Sequence, residues 1–380
     1  MAARKIRLAQ VTPSLLGGGI EHRTARLLRG LDRDRFELAW VGFAPLRPSL
    51  VESAGPDVTM CALPPHPPGL HLQSILRCAR FLAKFRADVV HVHNWSASIY
   101  GVAAARLARV PTVLYGLGGR DGPQAPSPKR RLAMRALGLG INGFTTVCED
   151  LGARLEREFA VGSDRVHVVR TGIDVQRFHP ADRGACRHAL SWPQDAFMVG
   201  ISGVHRPVKR LQDFLRAGQH VLQRYAEAQL VLIGFDGAEG LVHDIIDPGM
   251  RARVHHLGHT DEVHRVLPAL DAYVCTSAFE GACNAIIEAM ACGLPVLASR
   301  VGGNPELVAP DTGALFEVGD TDALAQGLCR LLENPGLRVE MSAAARRRAE
   351  RCHGLSTMID TYCHIYLRYH CRTRRAGHVC

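Results

Sequence analysis

Apolar residues along the chain fall into two alternating patterns. Short runs rich in Val, Ile and Leu, apolar at successive positions, alternate with longer segments whose apolar residues recur every three to four positions. The first kind predicts buried strands at residues 6–12, 36–43, 88–93, 112–115, 144–148 and 166–169. The second predicts helices at residues 21–31, 72–85 and 96–108. The pattern restarts near residue 197, with strands at 197–202, 229–233, 254–257, 272–276 and 295–298 and helical segments between them. Strands buried on both faces and separated by helices call for a parallel sheet covered on either side. The chain therefore reads as α/β, two Rossmann-like doubly wound domains facing a cleft, with ligands at the carboxyl ends of the strands.

Gly172 and Pro180 put a hinge within residues 171–180. The domains are expected at residues 1–175 and 176–355. Residues 356–380 would follow as a last helix over 356–369 and a loose basic tail from 372. A length of 380 residues is too great for one ordinary core and suits two. No apolar run approaches the about 18 residues that cross a bilayer, and the first residues lack the apolar segment and cleavage site of a signal peptide. The twelve Cys contain no Cys-x-x-Cys pair, so neither a zinc knuckle nor a disulfide framework is expected, and a reducing cytoplasm is.

Charge changes this picture in one respect. The net charge of +10 is uneven: residues 1–180 hold 25 Lys and Arg against 14 Asp and Glu, and residues 346–380 hold eight Arg against two acids. A basic first half predicts contact with anionic material, either a phosphate-bearing acceptor or the headgroups of the inner membrane face. Residues 129–137 form a basic helix with apolar residues that suits such a surface, or an ordinary core-facing helix, equally well. No basic ribbon interleaved with aromatics appears, so nucleic acid is not expected.

The richest chemistry lies in Phe279-Glu280-Gly281-Ala282-Cys283-Asn284-Ala285-Ile286-Ile287-Glu288, followed by Ala291-Cys292-Gly293-Leu294-Pro295-Val296. It reads as a glycine turn, a helix from Asn284, a glycine stop and a strand. A turn feeding a helix start aims backbone N–H groups and the positive dipole end at a ligand, which suits a diphosphate, so Gly281, Asn284 and Ala285 are donor-site candidates. Glu280 stands in the turn where a sugar would hang. Glu288, embedded among apolar residues, can accept two hydrogen bonds from a ribose diol. After the strand at 197–202 comes Gly203-Val204-His205-Arg206-Pro207-Val208-Lys209-Arg210. Arg206 and Lys209 can neutralise a leaving diphosphate, the task a divalent metal performs elsewhere; Arg210 reads as a solvated neighbour. Gly17-Gly18-Gly19 between the first strand and helix lets backbone approach a ligand, which makes Gly18 and Gly19 candidates.

These segments resemble family four of the retaining glycosyltransferases, which have the GT-B fold, and the resemblance covers nearly the whole chain. Its most specific mark is the Glu280–Glu288 spacing with the Ala-Cys-Gly-Leu-Pro-Val that follows. Gly302-Gly303-Asn304-Pro305-Glu306 and Thr171-Gly172-Ile173-Asp174 support it. The resemblance implies a nucleotide diphosphate sugar donor and no metal. It implies that Glu280 contacts the transferred sugar and Glu288 the ribose, and that Arg206 and Lys209 hold the diphosphate while Gly18 and Gly19 close over it. It further implies a backbone contact to the base near Leu257, a lipid-linked or glycan acceptor, and a last helix that returns to the first domain. Two departures stand out. Val204 replaces an Arg common in relatives, and Gly118 falls where many carry a histidine facing the acceptor. Strand alternation puts His91 and His93 on one face, with His93 at the carboxyl end facing the cleft as a substitute catalytic candidate; a hydrogen-bonded structural histidine is the other reading of His93, and His91 reads as structural. A retaining transfer can also use the donor's own phosphate oxygen as base.

Other strings carry less. Gly138-Leu139-Gly140-Ile141-Asn142-Gly143 copies a dinucleotide fingerprint but follows a helix and precedes a strand, the reverse of the required order. Asp32-Arg33-Asp34 and Asp320-Thr321-Asp322 read as solvated turns. His255, His256, His259 and His264 lack a carboxylate at metal-ligand spacing. Besides a transferase, an epimerase of nucleotide sugars and a catalytically weak nucleotide- or carbohydrate-binding protein remain open on the same fold.

Overall fold

The computed structural model describes residues 4–16, 19–65, 71–119 and 127–376. The chain divides into two compact units, one formed by Met1–Gly172 with Leu355–Cys380 and the other by Ile173–Gly354.

The first unit holds a seven-stranded sheet: β1 (Ile6–Thr12), β2 (Phe36–Gly42), β3 (Val58–Ala62), β4 (Val89–His93), β5 (Thr112–Leu117), β6 (Gly143–Thr146) and β7 (Val166–Val168). All neighbours are parallel, in the order β3-β2-β1-β4-β5-β6-β7. Every residue of β4 and β5 is buried, the polar His91, His93 and Thr112 included, as in a strand covered on both faces. The edge strand β3, which the apolar pattern did not predict, is largely half-exposed and therefore lacks a continuous apolar run.

The helix Leu355–Ala376 is part of this unit. It continues through residue 376 where a loose tail was expected from residue 372, and the Thr373 hydroxyl there meets that of Thr112 at 2.9 Å. Met358, Tyr362, Ile365, Tyr366 and Tyr369 form a buried stripe at helical spacing. The stripe packs into the core that contains Trp40, Phe36 and Leu114. Gly143 on β6 leaves the room, since a Cβ there would lie 2.4 Å from the Tyr369 ring.

The second unit holds a six-stranded parallel sheet: β8 (Phe197–Gly203), β9 (Ala228–Gly234), β10 (Val254–His256), β11 (Ala272–Cys275), β12 (Val296–Ser299) and β13 (Gly313–Phe316). Its order is β10-β9-β8-β11-β12-β13. Separate apolar clusters fill its two faces, one around Phe214, Leu230 and Leu328, the other around Tyr273, Ile286 and Met290. Both sheets thus reverse strand order once, between β1 and β4 and between β8 and β11, and loops at such a reversal part to leave a crevice. The short β13, led by a glycine, was also missed by the apolar pattern.

One contact joins the ends of the first unit's sequence. The Tyr366 hydroxyl lies 2.9 Å from both the Gln10 amide nitrogen and His91 Nδ1, all three buried. Replacing Tyr366 by Phe strands two buried polar groups, and we expect a loss of about 1–3 kcal/mol in unfolding free energy. A denaturant midpoint unchanged from wild type would show that the hydroxyl carries none of this.

Candidate functional site

At the strand-order reversal of the second unit, two loops meet. One follows β8 and carries Arg206 and Lys209; the other follows β11 and carries Glu280. The backbone stitches them together: the Ala278 amide donates to the Val208 carbonyl (2.8 Å), and the Thr276 hydroxyl donates to the Lys209 carbonyl (2.7 Å). Side chains complete the join. Lys209 Nζ and the Ser277 hydroxyl both donate to Oε1 of Glu280, each at 2.7 Å. Lys209 keeps 26% of its side chain exposed and Glu280 17%, so the pair is partly open to solvent. Burial opposes the Lys209 charge, but the Cys283, Glu280 and Cys275 groups outweigh it and hold the ammonium's pKa above its ordinary value.

A third loop fixes the height of Glu280. Gly302 has φ +52, and a Cβ there would sit 2.1 Å from the Glu280 carbonyl oxygen. The Gly303 amide donates to the Gly281 carbonyl at 2.7 Å, and the fully buried Asn304 amide donates to the Ser299 carbonyl at 3.0 Å. The segment 302–304 is therefore a backbone brace under the acidic turn. The helix Asn284–Ala291 starts four residues after Glu280, with Cys283 as its cap residue. Cys283 makes no side-chain cap bond, so the helix start presents its N–H groups without a side-chain acceptor at that position. Asn284 and Ala285 are half-buried there, Gly281 is buried, and Glu288 is half-buried one turn in.

Arg206 is exposed on the β8 loop. Arg210 corrects its reading as a solvated neighbour: its guanidinium holds the buried Asp213 carboxylate through two bonds. Leu257 is half-buried, and its N–H is taken by the Leu232 carbonyl at 2.9 Å, so a backbone contact to a base would use its carbonyl. Gly19 is the exposed first residue of the helix Gly19–Gly30; Gly18 lies outside the described residues.

His93 corrects its expected exposure. His91 and His93 do share a face, with ring centroids 4.2 Å apart. But His93 is 1% exposed, and its Nε2 donates to Gln10 Oε1 at 2.7 Å. His91 Nε2 meets the Thr145 hydroxyl at 3.0 Å. Gly116 faces the pair, and a Cβ there would lie 2.8 Å from His91 Nε2 and 2.9 Å from His93 Nδ1. Burial first, then the Arg23 charge, lowers His91 to about 3; His93 is likewise held well below the ordinary range by burial, His91 and Arg23. Both are neutral interior groups that tie β1, β4, β6 and the last helix together. Beside Gly118 stands Arg23, buried to 5% exposure, its Nη2 3.2 Å from where a Cβ of residue 118 would be.

The remaining strings resolve simply. Gly138–Gly143 runs from the end of a helix into β6. Asp320 caps a helix by accepting from the Ala323 amide, and Asp32 accepts from the Asp34 amide. His255 and His256 bond separately, to Gln229 and to the Gly234 carbonyl. The residues that sequence reasoning passed over are Cys275 and Cys283. Their Sγ atoms, 3.9 Å apart, and a Glu280 carboxylate oxygen all lie within 4.8 Å of one another.

Comparison with known proteins bears on both units. Residues 196–334 match the model of glycosyl transferases group 1, and residues 17–177 match that of glycosyltransferase family 4. A D-inositol 3-phosphate glycosyltransferase of Streptomyces scabiei is 30% identical over 320 residues, 77% of this chain and 71% of that protein. The UDP-Gal:alpha-D-GlcNAc-diphosphoundecaprenol alpha-1,3-galactosyltransferase of Escherichia coli is 27% identical over 311 residues, 78% of this chain and 79% of that one. Anabaena Alr3699/HepE, solved in complex with UDP, superposes with a TM-score of 0.83 at 20% identity, covering 96% of this chain and 100% of its own.

Two outcomes follow from the geometry. Gly302→Ala pushes a Cβ into the Glu280 carbonyl at a positive φ, and should cost about 1–3 kcal/mol in denaturant unfolding. Gly336→Ala, with nothing within 4 Å, should stay within about 0.5 kcal/mol; equal costs would remove the brace. The two histidines have folded pKa values below the ordinary 6.5, so the unfolded chain binds protons that the folded chain refuses. Their contribution to stability is complete above about pH 6.5 and is lost as pH falls below it, for His91 down to about 3, at up to about 1.4 kcal/mol per pH unit per histidine. Unfolding free energies that do not change between pH 7 and 5, or that rise, would contradict this.

Proposed function

The chain belongs to the glycosyltransferases of group 1 and family 4, with the two-domain GT-B fold, and from that premise we propose that it transfers sugar with retention and without a metal ion. The donor is a nucleoside diphosphate sugar and the acceptor a lipid-linked or glycan hydroxyl. The observation that carries this reading is the Lys209–Glu280 pair, set at the strand-order reversal of the second sheet, four residues before a helix start.

In this mechanism Lys209, joined by Arg206, neutralises the diphosphate as negative charge grows on the leaving oxygen. The N–H groups at the start of the Asn284–Ala291 helix donate to further phosphate oxygens, and Glu288 takes the ribose diol. Glu280, its Oε1 already held by Lys209 and Ser277, orients the sugar hydroxyls with a carboxylate that cannot swing away. The bond from the anomeric carbon to the phosphate oxygen breaks, and the acceptor oxygen attacks the same face. The acceptor's proton passes to the departing diphosphate oxygen. The buried, neutral state of His93 and the glycine at position 118 favour a phosphate base over a protein one. They also deprive the epimerase reading of its acid/base candidate.

An amphiphilic acceptor is supported by the first unit's charge and by one helix. In Pro128–Gly138 and just beyond it, Leu132 is 71% and Leu139 91% exposed, amid Lys129, Arg130, Arg131 and Arg135. That mixture suits the cytoplasmic face of an anionic membrane. No helix among the described residues is long and apolar enough to cross a membrane.

The test offers a panel of nucleotide sugars and lipid-linked or glycan acceptors to the protein in EDTA, and follows diphosphate release with the anomeric configuration of the product. Release with retained configuration is expected. Glu280→Gln and Lys209→Met should each lower the rate by about a hundredfold or more with unfolding midpoints still cooperative. An inverted product, a requirement for added divalent metal, or a wild-type rate in either variant would refute the corresponding part of the mechanism.

A further inference from the structure

Beside the Lys209–Glu280 pair lie two thiols that sugar transfer does not use. Cys275, the last residue of β11, and Cys283, the cap residue of the helix Asn284–Ala291, are each 4% exposed, and both are free thiols. Their separation of 3.9 Å is almost twice the length of a disulfide bond. It closely matches the spacing that a single ion imposes, since two sulphurs at about 2.3 Å on a tetrahedral centre lie about 3.8 Å apart. A Glu280 oxygen falls within 4.8 Å of both. Glu280, the partly exposed member, gives the group its access to solvent.

The surroundings differ from those of thiols that merely fill a core. The Ser277 hydroxyl lies 3.6 Å from the Cys275 sulphur, and the fully buried Asn304 amide nitrogen lies 4.0 Å from it. Asn304 Oδ1 has no partner among the described residues, which leaves an acceptor for a water on an ion held there. Two sulphurs and one carboxylate form the three-ligand set of a zinc-type site with an open fourth position.

We propose that Cys275, Cys283 and Glu280 form a binding site for a thiophilic divalent cation such as zinc or cadmium, and that occupancy switches the donor site off. Binding exchanges two thiol protons for one dication, giving a bis-thiolate, and releases both protons to solvent. The carboxylate that steadies the sugar becomes a metal ligand, so Glu280 is withdrawn from the donor. The cation-binding half stands by itself; the inhibitory half rests on the transferase reading above. The ion is an inhibitor here, distinct from any catalytic metal.

The experiment titrates Cd²⁺ into the full chain, reduced with a phosphine, and reads the thiolate-to-metal charge-transfer absorption. The first equivalent should produce the band. Cys275→Ala and Cys283→Ala should each abolish it at that stoichiometry, and Glu280→Gln should weaken the apparent affinity about tenfold or more. A band that survives both cysteine variants overturns the site. Because a buried substitution can unfold the protein, the wild type loaded with one equivalent of Zn²⁺ is also measured by X-ray absorption. Two sulphur neighbours at about 2.3 Å with oxygen in the same shell are expected; four sulphurs or none overturn the proposal. Diphosphate release by the wild type should fall at least tenfold with that equivalent of Zn²⁺ and return with chelator. Cys283→Ala should lose this sensitivity relative to its own metal-free rate. A bound metal with no effect on release removes the inhibitory half, and a protein that binds metal but releases no diphosphate removes the transferase reading while the site stands.

Discussion

One ammonium held on one carboxylate organises the second unit. Lys209 and Glu280 lie 71 residues apart, on loops after non-consecutive strands, and their bond exists because β8 and β11 are neighbours in the sheet. A lysine with no anion nearby would favour solvent over this half-buried position, and a carboxylate without the ammonium would carry an uncompensated charge into it. The backbone braces follow from that pairing. Thr276 and Ala278 hold the two loops in register, and the Gly302 backbone closes under the turn from the far side. Three loops from three strands are thereby fixed around one carboxylate oxygen. Such preorganisation is the physical content of electrostatic catalysis.

The first unit uses its polar interior differently. Gln10, His91, His93, Thr145 and Tyr366 form a chain of hydrogen bonds inside the sheet–helix interface. The bonds are all satisfied by the following assignment. His93 donates to Gln10, whose amide donates to the tyrosine hydroxyl; the hydroxyl donates to His91, which donates to Thr145. A neutral imidazole is required at His91, and burial holds both rings in that state. A network of this kind specifies one packing of the last helix on the sheet, because a shift of one residue would break several bonds together.

The class of each element was legible because apolar periodicity is a local property. The central strands β1, β4, β8 and β11 are buried on both faces and stood out; β3 and β13 lie at sheet edges, where a half-exposed or very short strand loses its apolar signature. The link between Lys209 and Glu280 was legible only as two separate loops of the right chemistry. Strand order, which makes them neighbours, is not written in either. The catalytic reading of His93 failed because alternation tells which residues share a face but not what covers it: Gln10 takes the His93 ring, and Tyr362 and Tyr366, more than 260 residues later, cover its neighbour His91. Cys275 and Cys283 went unremarked for a similar reason. Eight residues apart, they match no metal-ligand spacing, and only the turn between strand and helix folds them together.

The return of the last helix to the first unit has a consequence for how the protein is made. The chain leaves that unit at residue 172 and comes back to it at residue 355, so the second unit is encoded as an insertion within the first. During translation, domains ordinarily mature in the order in which they emerge. Here the order is reversed: the unit that starts later is complete first, while the nascent seven-stranded sheet waits for its final helix. Until Tyr362, Tyr366 and Tyr369 leave the ribosome, the apolar face around Trp40 and the polar atoms of Gln10 and His91 lack their cover, and it is in that interval that a chaperone would find the chain.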